Sequence, residues 1–247
     1  MNPLIQRMNE ISNHLKQFKE VKCLLGLGSL SEVSRLDEYS DLDFFLIVEN
    51  DYKEKYIDDL SWLRVKPIVF QFKNSNDGHK ILYEDGIYAE FAVFTAAEII
   101  QAKFSEGRVY YNTEDFDLDL IRPRHTPLVK PVNIEYHVNE ALTNLFIGLK
   151  RMQRGELSNA TTFIQVYAYN LVIPLLERVY EKNNIENIDL YVYERRIEKH
   201  FPNVEKLLSN MRQGYLNNKE SAKAILDFLT TNFKTNDQIV SNIRKML

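Results

Sequence analysis

Two aspartates, Asp41 and Asp43, stand one residue apart at the mouth of an apolar strand in "GLGSLSEVSRLDEYSDLDFFLIV", residues 26–48. Successive side chains of a strand point to opposite faces. Both carboxylates therefore share one face, and Leu42, Phe44 and Leu46 take the other. Adjacent carboxylates repel, and at the end of a buried strand they also lose solvation. A bound divalent cation removes both costs, and hard carboxylate oxygens suit Mg2+. Taken alone, Asp-x-Asp is more often a polar strand start. Three further features turn the balance toward chemistry. Gly28-Ser29 follows an apolar strand; Gly28 lets the backbone approach a ligand, and Ser29 offers a hydroxyl and an amide to a phosphate. Ser40, directly before the aspartates, offers a hydroxyl to another phosphate oxygen. Glu90 is the lone carboxylate in the apolar run "GIYAEFAVF", residues 86–94, and a charge in that setting needs a partner. The partner is either a lysine or arginine in an ion pair or the cation held by Asp41 and Asp43. In the second case three acids from two strands converge.

These residues need elements to hold them. Asn2 and Pro3 suit a helix start, and Leu4, Ile5, Met8, Ile11, Leu15 and Phe18 recur at helical spacing, so the first helix is expected over residues 3–19. Apolar strands are expected at Cys23–Leu27 and Leu42–Val48, with a surface helix over residues 52–63. Pro67–Phe72, Lys80–Tyr83 and Ile87–Phe94, rich in β-branched and aromatic residues, read as further strands. Thr95-Ala96-Ala97-Glu98 has the spacing of a capping box, so a helix starts there. The texture then changes at "RPRHTPLVKP", residues 122–131, a proline-rich basic stretch with the composition of a linker. After it the pattern is helical throughout. Residues 133–153 place Ile134, Val138, Ala141, Leu142, Leu145, Phe146, Leu149 and Met152 on one face, with Glu140, Asn144, Arg151 and Arg154 opposite and Lys150 at the edge. Residues 158–181 form a second helix, apolar on most sides, which Pro174 should kink. The expected class is α+β: a mixed sheet flanked by helices over residues 1–126 and a helical bundle over 127–247.

Bulk properties restrict the function. A net charge of −4 gives no broad electrostatic footing for nucleic acid. Cys23 is the sole cysteine, so no intrachain disulfide can form. The amino-terminal residues lack the apolar core and cleavage site of a signal peptide, and no segment has the ~18 consecutive apolar residues of a membrane span. A cytoplasmic protein without a membrane partner is expected.

A strand, Gly-Ser, Asp-x-Asp on a second strand and an acid on a later strand together resemble the polymerase-β-like nucleotidyltransferase superfamily. The resemblance is nearest to two-domain lincosamide nucleotidyltransferases, with aminoglycoside adenylyltransferases more distant. It rests on "GSLSEVSRLDEYSDLDFFLIV", "GIYAEFAVF" and "NLFIGLKRMQRGE", covers about residues 20–182, and finds nothing in the last stretch of the chain. It implies a catalytic first domain and a helical second domain that closes over the cleft. It also implies Mg2+-dependent transfer of a nucleoside monophosphate, with pyrophosphate released, from a nucleoside triphosphate (ATP first) to a hydroxyl of a small molecule such as a lincosamide or aminoglycoside antibiotic. Asp41 and Asp43 would bind one or two Mg2+ ions. Gly28, Ser29 and Ser40 would hold phosphates, and Lys150 would meet the triphosphate. Glu90 would be the base, a metal ligand, or both. A homodimer and a role in antibiotic resistance follow by analogy only.

Other readings compete. Tyr136, Tyr167, Tyr169 and Tyr191 could stack on an acceptor ring or be ordinary bundle residues. The acidic run "YNTEDFDLDL", residues 111–120, could rim a cleft, and its "DLDL" repeats Asp-x-Asp without a preceding Gly-Ser. Arg195 and His200 in "RRIEKH" match the Arg-x4-His spacing of helical ribonuclease domains found in toxin–antitoxin systems. A nucleotidyltransferase acting on protein or RNA would use the same carboxylates, and a non-catalytic binding protein would not need to keep them.

Overall fold

The computed structural model describes residues 2–125, 131–183 and 194–247. By its contacts the chain divides into two compact units, residues 1–126 and 127–247.

The first unit opens with α1 (Pro3–Leu15), capped by the Asn2 side chain, which accepts from the Leu4 amide at 2.8 Å. The helix stops short of the expected residue 19 because the Leu15 carbonyl accepts from Phe18 N, turning the chain into the sheet. Six strands follow: β1 (Val21–Gly26), β2 (Leu42–Val48), β3 (Ile68–Lys73), β4 (Gly78–Tyr83), β5 (Tyr88–Thr95) and β6 (Arg108–Asn112). Their order is β3-β4-β5-β2-β1-β6. β2 and β5 are parallel and the other pairs antiparallel, so the sheet is mixed. Between β2 and β3, α2 (Lys53–Asp58) ends where Asp59 caps a separate 3-10 turn, Leu60–Leu63, which splits the single helix expected over 52–63. After β5, α3 (Ala96–Ile99) carries both bonds of the expected capping box but runs only one turn.

Alternation decides what each face of the sheet does. On one face Leu24, Phe44, Leu46, Ile81, Phe91 and Val93 pack beneath α1, α2 and the 3-10 turn. Trp62 and Tyr83 satisfy their buried polar atoms there on the carbonyls of Tyr56 and Leu63. On the other face a smaller cluster joins Cys23, Leu25 and Ile47 to Ile99, Phe104 and Ile121. That cluster covers the carboxyl-terminal part of β2 and β5. The amino-terminal part of the same face, toward Asp43 and Glu90, lies beyond it.

The second unit is helical. α4 (Ile134–Gln153) begins at Asn133, whose side chain caps the Tyr136 amide at 3.0 Å. Its apolar stripe Val138, Ala141, Leu142, Leu145 and Leu149 is buried. Asn144, expected on the polar face, is buried as well, and its amide donates to the Glu140 carbonyl at 2.7 Å. The helix expected over 158–181 is α5 (Leu157–Thr161), a π-helical stretch Thr162–Ala168, α6 (Tyr169–Val172) and a 3-10 segment, Ile173–Arg178. The last change of winding, from α to 3-10, falls at Ile173 beside Pro174, which has no amide hydrogen to give the helix. Gly148 lets α4 meet the π stretch closely, since a Cβ there would stand 2.6 Å from Ile164 Cγ1. Among the described residues, α7 (Ile197–His200), α8 (Glu205–Met211), α9 (Asn218–Asn232) and α10 (Asp237–Arg244) follow. The two units together give the α+β class: a mixed sheet with helices, then a helical carboxyl-terminal half.

Candidate active site

β1 delivers Gly28 to the carboxylates. The last bond of the β1–β2 ladder runs from the Leu27 amide to the Asp43 carbonyl at 2.7 Å. The chain then turns through a 3-10 segment, Gly28–Leu30, with Gly28 at φ +54°. Only glycine takes that region without strain. A Cβ at Gly28 would stand 2.9 Å from Asp43 Oδ2, so the turn can pass this close to the carboxylate only without a side chain. Ser29, half-buried, is the middle residue of the turn. The turn is held from behind by Ser31 Oγ donating to the Gly28 carbonyl and Tyr110 Oη to the Leu30 carbonyl.

β2 and β5 bring two acids side by side. Asp43 and Glu90 are direct partners in the parallel ladder, and both are half-buried while Leu42, Phe44, Ala89 and Phe91 beside them are buried. Asp41 lies immediately before β2, two residues from Asp43. Glu90 makes two contacts from the β3–β4 hairpin: Asn74 Nδ2 donates to its Oε1 at 2.9 Å, and Lys80 Nζ stands 3.1 Å from its Oε2. Lys80 is the register partner of Glu90 on β4. The Glu90 carboxylate holds the Lys80 pKa above its ordinary value. Among the described residues, no group of three or more His, Cys, Asp or Glu side chains gathers tightly enough to hold a metal ion. The physical reason at Glu90 is plain: both of its oxygens are drawn to hairpin donors. The ion pair weighed against metal binding in the sequence is thus present, with Lys80.

The donor set still suits a hard cation. Asp41 and Asp43 offer carboxylate oxygens from one strand end, and the space beside Asp43 is the one a Gly28 Cβ would fill. Ser40 is occupied in its own loop, with Oγ donating to Asp37 Oδ1 at 2.9 Å and accepting from the Asp37 amide. Lys150 belongs to the second unit, exposed on α4, with its ammonium 4.7 Å from the centre of the Phe146 ring. Arg151 pairs with Glu156 at 3.0 Å.

The competing motifs resolve locally. Asp117 of "DLDL" caps a 3-10 turn by accepting from the Asp119 amide. Tyr136 and Tyr167 are exposed, whereas Tyr169 is buried under the Arg212 guanidinium; Tyr191 lies outside the described residues. His200 is only 4% exposed, and burial pushes its pKa down, helped by the charges of Lys182 and Arg196. A ring so enclosed cannot reach an RNA phosphate without local opening.

Lys80 and Asn74 were not read from the sequence as site residues. A signal existed: Lys80 is a lone cation in the apolar strand "HKILY", the complement of lone Glu90 in the next strand.

No family model and no curated protein matches the chain. Among solved structures, an aminoglycoside 6-adenyltransferase from Bacillus subtilis aligns over 96% of this chain and 95% of its own, with 14% identity and a TM-score of 0.37. A spectinomycin adenyltransferase from Enterococcus faecialis, with ATP and spectinomycin, aligns over 98% and 97% at 14% identity and a TM-score of 0.29. A CCA-adding enzyme from Thermotoga maritima, complexed with tRNA, aligns over 99% of this chain and 70% of its own, at 11% identity and a TM-score of 0.40. At such identities and scores, the functional reading rests on the residues of the site itself.

Proposed function

We propose that this chain is a nucleotidyltransferase: it moves a nucleoside monophosphate from a nucleoside triphosphate, ATP first, to a hydroxyl of a small acceptor. The observation that carries the reading is the register of Asp43 with Glu90 on parallel strands beside the side-chain-free turn at Gly28. A chain of net charge −4 needs cations to hold a triphosphate. Asp41 and Asp43 would hold Mg2+, which when bound neutralises phosphate charge as it shifts to the leaving pyrophosphate. Gly28 and Ser29 would lie along the phosphates. The acceptor oxygen bonds to the α-phosphorus, the bond to the bridging oxygen breaks, and pyrophosphate leaves with that electron pair. The hydroxyl proton goes to Glu90. Its contacts with Lys80 and Asn74 hold the carboxylate on the hairpin side. Lincosamides, aminoglycosides and a resistance role remain the substrates and setting suggested by resemblance.

The test is pyrophosphate release from MgATP or MgGTP with a panel of hydroxylated antibiotics, for wild type, Asp41→Asn and Asp43→Asn. Either substitution should lower the rate at least ~10³-fold, about 4 kcal/mol of transition-state stabilisation, with the fold intact by circular dichroism. Full activity in either variant ends this reading.

A further inference from the structure

The row that holds the carboxylates does not stop at Glu90. Asp43 pairs with Glu90, Glu90 with Lys80, and Lys80 with Phe72, across four strands. Paired residues share a face, so all four side chains lie on the face of the candidate site. The next row repeats the pattern, with Tyr88 opposite Leu82 and Leu82 opposite Phe70. Phe70 and Phe72 are 52% and 54% exposed, high for phenylalanines on a sheet. Leu82 and Tyr88 are half-buried. We propose that this strip, Phe70, Phe72, Leu82 and Tyr88 around Lys80, is the acceptor subsite, and that it takes a hydroxylated molecule with a flat apolar ring and little positive charge.

Two observations select that occupant. The first is charge. The acid nearest the strip, Glu90, is already paired with Lys80, whose own cation projects from the middle of the apolar residues. No carboxylate among the strip residues is left to receive a polycation, while a ring can lie on the phenylalanines with its hydroxyl toward Glu90. The second is the edge. β3 is the outer strand, and its register slips between Ile68 and Phe70. A bulge with a terminal lysine, Lys73, blunts an edge against pairing with another strand. A second copy of the chain is therefore the poorer fit.

The inference rests on the transferase reading, and the experiment separates the two. Binding of MgATP is measured by calorimetry. Binding of p-nitrophenyl β-D-glucopyranoside, glucose and kanamycin is measured by ligand-observed NMR with Mg2+ and a non-hydrolysable ATP analogue present. Variants are the double substitution Phe70→Ser/Phe72→Ser, at exposed positions that leave the core untouched, and Lys80→Glu. Wild type should bind the aryl glycoside better than glucose or kanamycin. The double variant should weaken aryl glycoside binding about tenfold with MgATP affinity unchanged, and Lys80→Glu should raise kanamycin binding. Equal aryl glycoside binding by wild type and double variant overturns the inference while MgATP binding stands. So does preferred binding of kanamycin by wild type, or a change of oligomeric state in the double variant without a change in probe binding. Failure to bind MgATP at all sinks the transferase reading and this inference with it.

Discussion

At the scale of single residues, the proposed site would depend on one missing side chain and one held carboxylate. Gly28 combines a positive φ with a carboxylate where its Cβ would go. Gly28→Ala should cost about 1–2 kcal/mol in a urea melt from the left-handed backbone alone. Pyrophosphate release should fall well beyond what that loss explains, because Asp43 must also move. Wild-type turnover in a folded Gly28→Ala protein would show that the turn plays no part. Glu90→Gln tests the proton acceptor. The new amide nitrogen would face a donor, Asn74 or Lys80, so the contacts must rearrange, yet the position is exposed enough to keep the fold. Turnover should drop at least ~10²-fold with nucleotide affinity nearly constant; lost Mg2+ affinity instead would identify Glu90 as a ligand. The sequence marks Gly28, Asp41, Asp43 and Glu90 as candidates because each breaks its local pattern: a glycine after an apolar strand, acids at a strand mouth, a charge in an apolar run. It did not disclose that Ser40 is tied to Asp37, or that Asn144 turns inward, since those depend on loop closure and helix packing rather than on spacing.

At the scale of elements, legibility follows how sharply each strand distinguishes its faces. β2 reads without ambiguity: Leu42, Phe44 and Leu46 are buried against the helices, and the range expected is the range found. β6 escaped notice because Val109, Tyr110 and Tyr111 are all half-buried on an edge strand, so "RVYYN" has no clean alternation. The β3–β4 pairing was hidden for another reason. Its bulge shifts the register by one, and a one-residue slip changes which side chains share a face; the partnership of Phe72 with Lys80 could not be counted from the sequence. β1 supplies an experiment at this scale. Cys23 is fully buried between the sheet and α3, and burial pushes its thiol pKa up to about 12. The thiolate is the reactive form. Ellman's reagent should therefore leave the native protein unlabelled at pH 8 and react at a rate set by opening of the first unit. Rapid labelling of the folded protein would show that the cluster over β1 is open in solution.

At the scale of the molecule, the two units each carry their own apolar core, and each core encloses one histidine. In the first unit His79 is 8% exposed and stacks on Phe91 with ring centres 5.8 Å apart; in the second His200 is 4% exposed. Burial pushes both imidazoles below their ordinary value of 6.5. An unfolded chain takes up these protons near pH 6.5, while the folded chain resists until lower pH. Across that interval the unfolded state binds more protons, so stability rises with pH and is lost as pH falls through 6.5 toward the depressed values. The paired carboxylates act elsewhere. Glu10, Glu98 and Asp85 are pulled below their ordinary values of 4.5, 4.5 and 3.8, opposed by burial, through their bonds to Arg7, Lys53 and Thr95. Their contribution is present above those values and disappears only as pH falls below them. The interval from about pH 6.5 to 5 therefore belongs to the histidines. Thermal melts should show a falling midpoint over that range. His79→Phe, which keeps a ring over Phe91, should flatten the dependence of the transition reported by Cys23, and His200→Leu that of the helical unit. A melt as steep in the double variant as in wild type would mean that neither enclosed imidazole resists protonation.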